Sequence, residues 1–246
     1  MSLPTPDRSP VRALVFDVFG TVVDWRGSII REGEALTAEK GWRVDWPTLA
    51  DAWRAGYQPA MQRVMQAKAS GEAAWVKLDE LHRGILHTLL PRFRLDDLSP
   101  AEREHLNLVW HRLDPWPDSV AGLTRLKARY PIATLSNGNV SLLVDMARHG
   151  GLPWDCVLSA ELFRAYKPSP AVYRGAADLL GVAPNELLMV AAHPSDLAAA
   201  QRAGLKTAYV ERPLERGPGG APENSAGQRF DLMASDFIDL AAKLGA

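Results

Sequence analysis

Val11-Arg12-Ala13-Leu14-Val15-Phe16-Asp17-Val18-Phe19-Gly20-Thr21 runs from a mostly apolar hexapeptide into an acidic residue and then a glycine. A short apolar run of strand formers without polar alternation suits a strand buried on both faces of a parallel sheet. Open parallel sheets carry their ligand crevice at the carboxyl ends of the strands, so Asp17 is delivered there. Gly20 lets the chain turn sharply away. Taken alone, Asp17 reads equally well as a capping residue at a strand end.

Outward from this stretch, Pro131–Leu135, Cys156–Leu158, Leu187–Ala191 and Thr207–Val210 have the same character, with helix-like stretches between them. Strand alternating with helix predicts an α/β fold, a doubly wound (Rossmann-like) parallel sheet. The long block from Trp25 to Leu113 contains no clear strand. Leu49, Trp53, Tyr57, Met61 and Met65 recur at helical spacing there, as do Trp75, Leu78, Leu81 and Ile85. The block is expected to be a helical cap subdomain inserted after the first strand, with these stripes as its core. Residues 11–24 and 114–246 then form the catalytic core, and Asp114-Pro115-Trp116-Pro117-Asp118 is the hinge. The Gly- and Pro-rich stretch Arg212–Gly227 is expected to be a mobile surface loop.

Composition narrows the functional classes. Hydrophobic residues make up 47% and charged residues 23%, which lets 246 residues bury a full core without staples. A net charge of −1 gives no reason to expect nucleic acid or an anionic membrane as partner. The single cysteine, Cys156, cannot form an internal disulfide and fits a reducing compartment; its apolar surroundings predict burial. Met1–Pro10 lacks the apolar region of a secretory signal. No run approaches the roughly 18 apolar residues of a membrane span, so the expected location is cytoplasmic.

The strand ends carry the chemistry. The second strand leads into Ser136-Asn137-Gly138, where a hydroxyl, an amide and helix-opening N–H groups can meet an anion. Lys167 follows the third strand, within Tyr166-Lys167-Pro168, and His193-Pro194-Ser195-Asp196 follows the fourth. One sheet edge thus receives two carboxylates, a hydroxyl and an ammonium. Any one could be a cap or a surface charge; all four in this order point to a site.

These four segments, Phe16–Thr21, Leu135–Gly138, Tyr166–Pro168 and the loop ending at Asp196, resemble the four motifs of the haloacid dehalogenase superfamily. Phe19, Asn137 and Trp53-Arg54 make the chain look like its type II, L-2-haloacid branch. The resemblance runs from about Val11 to the C-terminus. It implies that Asp17 attacks C2 of a short 2-haloacid with inversion, and that water then hydrolyses the resulting ester to a 2-hydroxy acid. Lys167 would hold Asp17 ionised, Ser136 would hold the substrate carboxylate, and Thr21 belongs to the substrate-side motif. Arg54 and Asn137 would receive the halide, Tyr173 would support Lys167, and Asp196 would help place the water. Surface or core roles stay open for Arg54 and Tyr173. Phosphatases of the superfamily carry an acid two positions after the nucleophile to protonate an alkoxide. Phe19 cannot do so and would line an apolar cradle or pack under the cap. The resemblance implies no cofactor and no metal. Its members often form homodimers, and no interface can be read from this sequence.

Two positions depart from the pattern. Ala191 and His193 stand where the family has Ser and Asn near the hydrolytic water. His193 reads equally as a general base, a donor or a structural residue, and as a donor near the site it raises fluoroacetate as a substrate. Ser195 replaces a bulky aromatic. His82, His87, His105, His111 and His149 show no metal spacing and are expected to be solvated or partly buried. Two alternatives remain: a magnesium-dependent phosphatase sharing a cation between Asp17 and Asp196, and a carboxylate-binding module without turnover.

Overall fold

The computed structural model describes residues 10–38 and 40–246; the N-terminal stretch read above as no secretory signal lies almost entirely outside them. In chain order the elements are β1 (Ala13–Phe16), α1 (Trp25–Ala38), α2 (Trp46–Ala69), α3 (Leu78–Leu89), α4 (Pro100–Asn107), α5 (Ser119–Lys127), β2 (Ile132–Ser136), α6 (Val140–Gly150), β3 (Cys156–Ser159), α7 (Ala160–Phe163), α8 (Pro170–Leu180), β4 (Leu187–Ala191), α9 (Pro194–Arg202), β5 (Lys206–Val210), β6 (Leu232–Ala234) and α10 (Phe237–Lys243). Six parallel strands form one sheet in the order β3-β2-β1-β4-β5-β6. The expected doubly wound fold is observed.

β1 is central and every residue in it is buried. Leu14 and Phe16 face one core cluster and Ala13 and Val15 the other, as alternation across a two-sided strand requires. Because β2 and β4 flank β1, Phe16 lies opposite both Thr134 and Val190. The ends of three adjacent strands therefore bring Asp17, Ser136 and the Ala192–His193 turn together. The edge strand β6 is an addition to the sequence reading. Three residues, one buried, one half-buried and one exposed, are too few to carry a period.

The chain between β1 and α5 contains helices α1 to α4 with 3-10 turns at Pro91–Phe93 and Leu108–His111. Asp45 caps α2 by accepting the Thr48 N–H at 3.0 Å. Of the α2 stripe expected from spacing, Leu49, Trp53, Tyr57 and Met61 are buried, with Trp46 ahead of them, whereas Met65 is only half-buried. On α3 the buried stripe is Leu78, His82, Leu86 and Leu89, one residue on from the expected Leu81 and Ile85, which are half-buried. His82 is the cause. Its ring stacks on Trp110 at 4.1 Å between centroids, and Phe19, Trp53 and Tyr57 surround it. Burial pushes its pKa down to about 3, so it is a neutral aromatic member of the core. The expectation that it is solvated or partly buried is wrong. His111 is also buried, between Asp79 and Asp145.

Two further expectations are corrected. Cys156 opens β3 at the sheet edge and is exposed, not buried. Arg212–Gly227 is not simply a surface loop, because Arg212 and Glu215 are buried. Arg212 donates to both Asp118 oxygens at 2.8 and 2.9 Å and to the Thr21 carbonyl at 2.8 Å. Among the described residues, no helix is long and apolar enough to cross a membrane.

Candidate active site

Asp17 lies at the floor of a cleft of about 660 Å³, beyond the carboxyl edge of the sheet. Its Oδ1 accepts from Lys167 Nζ at 2.9 Å. Its Oδ2 accepts from Thr21 Oγ1 at 2.8 Å and faces His193 Nδ1 at 2.9 Å. The Thr21 hydroxyl is oriented because its oxygen takes the Ala192 N–H at 3.0 Å, leaving its proton for Asp17. Burial alone would raise the Asp17 pKa; Lys167 and His193 outweigh it and hold the carboxylate well below its ordinary range.

Lys167 Nζ also contacts Asp196 Oδ2 at 2.5 Å, and Tyr173 donates to Asp196 Oδ1 at 2.5 Å. The ammonium thus lies between two carboxylates. Burial disfavours its charge, but Asp17 and Asp196 more than restore it, and its pKa rises well above the ordinary lysine value. Burial and the charge of Asp17 lift Asp196 above its usual range against the pull of Lys167. Lys167 is positioned from its own backbone, whose N–H donates to Asn137 Oδ1 at 2.7 Å.

The sequence-predicted residues divide into three groups. Asp17, Lys167, Asp196, Tyr173, Asn137, His193 and Arg54 line the cleft. Thr21 and Ser136 stand behind it, Thr21 on Asp17 and Ser136 accepting the Gly138 N–H at 3.2 Å. Phe19 is turned away from the cleft wall into the cap aromatics, edge-on to Trp110 at 5.7 Å. Of its two expected roles, packing under the cap is the one observed. Arg54 reaches the cleft from α2 with its guanidinium 4.4 Å from the Tyr57 ring centroid and 5.6 Å from that of Trp25. Its Nη1 is buried without a hydrogen-bond partner among the described residues. A guanidinium nitrogen buried without an acceptor can take an anion as its partner.

One residue escaped the sequence. Glu215, in the loop after β5, faces His193 Nε2 at 3.0 Å and accepts from Trp25 Nε1 at 3.1 Å. Gly20 makes room for it: with φ of +83°, a Cβ there would fall 2.3 Å from Glu215 Oε1. Only the glycine-rich texture of that loop was visible in the sequence, not the inward turn of one carboxylate.

A haloacid dehalogenase-like hydrolase family model matches residues 11–204, spanning all four strand-end motifs. The chain belongs to that family. It is 30% identical to (S)-2-haloacid dehalogenase 4A of Burkholderia cepacia over 94% of this chain and 98% of that protein. Among solved structures it is similar to the L-2-haloacid dehalogenase PA0810, with 50% identity, TM-score 0.89 and coverage of 96% and 99% of the two chains. The defluorinating L-2-haloacid dehalogenase Rha0230 is also similar, with 44% identity, TM-score 0.90 and coverage of 98% and 100%. Within this family fold, His193 bridges Asp17 Oδ2 and Glu215 Oε1.

Proposed function

We propose that this chain is a hydrolytic 2-haloacid dehalogenase that converts short L-2-haloacids to 2-hydroxy acids through an ester on Asp17. The observation that carries this is the unequal bonding of the two Asp17 oxygens. A carboxylate oxygen has two in-plane lone pairs. Those on Oδ2 are engaged by Thr21 and His193, whereas among the described residues Oδ1 meets only Lys167, so Oδ1 is the attacking atom. Back-side attack on C2 drives the halide to the opposite side, toward a donor not already committed. Arg54 is that donor, with Asn137 on the same wall. His193 bonds Asp17 itself and is the donor near the site that raises fluoroacetate as a substrate, while the departing fluoride, like any halide, would face Arg54.

The core of 11–24 and 114–246 and the cap of 25–113 then act together, the core supplying nucleophile and water and the cap supplying the halide cation. Phe19 supports dehalogenation over phosphomonoester hydrolysis, because it cannot protonate an alkoxide and a halide needs no proton. The names of the relatives supply the substrate class.

The test is a single turnover of L-2-chloropropionate in H₂¹⁸O with enzyme in excess. Label is expected in the Asp17 carboxylate, with the new hydroxyl of the D-2-hydroxy acid unlabelled, because its oxygen comes from Oδ1. Label in the product and none in the peptide spanning Asp17 would reject the ester route.

A further inference from the structure

We propose that the outer part of the cleft is a subsite for a second carboxylate, held by Arg202 and Arg216, and that the preferred substrates are short L-2-halodicarboxylates. This rests on the dehalogenase reading and names its substrate class. The observation that carries it is unpaired positive charge on one wall. Asp17, Lys167 and Asp196 are committed to one another, and Glu215 to His193 and Trp25. Asp51 takes the Arg26 fork at 2.7 and 2.9 Å, and Glu223 accepts the Ser195 N–H at 2.8 Å. Arg54, Arg202 and Arg216 also line the cleft, and none of the three guanidiniums is ion-paired among the described residues. With Arg54 given to the halide, two cations remain.

The wall is built from α9 and the loop after β5. Ser195, Ala198 and Arg202 are spaced three and then four residues apart, so they share one face of α9. That face spans about 10 Å at a rise of about 1.5 Å per residue. It carries only a hydroxymethyl and a methyl group before Arg202. Helical side chains lean toward the N-terminus, so Arg202 reaches back toward the catalytic end of the helix. It is near enough for its charge to act on the Tyr173 hydroxyl, which bonds Asp196. Arg216 follows the buried Glu215 in a turn closed by the Gly217 N–H on the Leu214 carbonyl at 2.9 Å, which fixes its backbone.

The chemistry of this wall selects the substrate's tail. A cleft of about 660 Å³ has room for more than a three-carbon acid. An alkyl chain laid along α9 would cover two guanidiniums and gain little apolar contact. A carboxylate there would pair with them, and the planar guanidinium fork matches its shape. The bonds made and broken at C2 are those of a monoacid, so the product is the matching 2-hydroxydicarboxylate.

The experiment compares kcat/KM for chloride release between substrates of equal chain length. L-2-chlorosuccinate is set against L-2-chlorobutanoate, and L-2-chloroglutarate against L-2-chloropentanoate, a methyl group replacing the distal carboxylate in each pair. Ratios taken within one preparation cancel any difference in active enzyme. At least one dicarboxylate is expected to exceed its alkyl match by about tenfold, each exposed ion pair supplying up to about fivefold. The ratio should fall by about threefold in Arg202→Gln and in Arg216→Gln, and to near parity in the double variant. Arg148→Gln removes an equal charge from α6, outside the cleft, and should leave the ratio unchanged. Both ratios at or below one in wild type, or ratios indifferent to both arginines, overturn the subsite. So does an equal fall in Arg148→Gln, which would mean attraction at long range. An equal loss on both substrate types in the Arg202 and Arg216 variants also overturns it, because the guanidiniums would then serve the C1 carboxylate. Absence of chloride release from every substrate, L-2-chloropropionate included, would instead refute the dehalogenase reading.

Discussion

At the scale of single residues, Lys167 decides what kind of cation this site uses. A divalent ion shared by Asp17 and Asp196 would need to stand between their oxygens, and the ammonium is already there, 2.9 and 2.5 Å from each. Its raised pKa keeps the charge in place over the whole working range. Activity on 2-haloacids is therefore expected to survive EDTA, measured as chloride release with and without added Mg²⁺. Recovery that depends on Mg²⁺ would return the chain to a phosphatase-like use of its two carboxylates. Asp17 was legible in the sequence because it directly follows β1, and Lys167 and Asp196 because each lies in the connection that leaves a strand, β3 and β4, on the same side of the sheet. Glu215 was not, because a residue in a loop without period can point anywhere. Its direction is set by His193 and Trp25, both distant in sequence, and by the missing Cβ of Gly20.

At the scale of elements, the joint between the helical block and the sheet layer is electrostatic where sequence reading saw only breakers. His111 ends the 3-10 turn after α4. Its Nδ1 meets Asp145 of α6 at 2.8 Å and its Nε2 meets Asp79 of α3 at 3.2 Å, while Asn139 donates to the other Asp79 oxygen at 2.8 Å. Burial works against the His111 charge, yet the two aspartates raise its pKa above the ordinary value. A raised folded-state pKa gives stability that is full below the unfolded value of about 6.5 and is lost as pH rises through the folded one. Asp145 is more than half exposed, which keeps the contribution to about 1 kcal/mol or less. Urea denaturation of wild type and His111→Gln should therefore differ more at about pH 6 than at about pH 9. A difference independent of pH would leave His111 as packing alone. The partners lie 32 and 34 residues away, so no local spacing could announce this contact. The stripes on α2 were readable because helix period is local, and the α3 stripe shifted because a histidine, polar by type, packs as an aromatic ring.

At the scale of the molecule, stability and chemistry are joined through Arg212. It lies three residues before Glu215 and is buried against the Phe237 ring, 4.7 Å from its centroid. Its two-pronged contact with Asp118 ties the loop after β5 to the chain leading into α5, and Asp118 also accepts the Phe237 N–H at 2.8 Å at the start of α10. The same guanidinium holds the Thr21 carbonyl. One residue thus anchors both donors to Asp17 Oδ2, Thr21 directly and His193 through the loop that carries Glu215. Removing one partner of a buried, hydrogen-bonded ion pair costs on the order of 3–5 kcal/mol, because the other charge is stranded. Arg212→Ala should lower the urea midpoint strongly, and Asp118→Asn should lower it by a similar amount since it leaves the guanidinium without its anion. The two variants should differ in catalysis. Asp118→Asn keeps the Arg212 contact to Thr21 and is expected to hydrolyse the Asp17 ester at near wild-type rate at a temperature where it is folded. Arg212→Ala, folded under the same conditions, is expected to accumulate the ester, because the Thr21 carbonyl and the loop that carries Glu215 lose their anchor. Equal ester accumulation in both variants would mean that Arg212 acts through global stability, and that the path from the loop to the nucleophile does not run through its guanidinium.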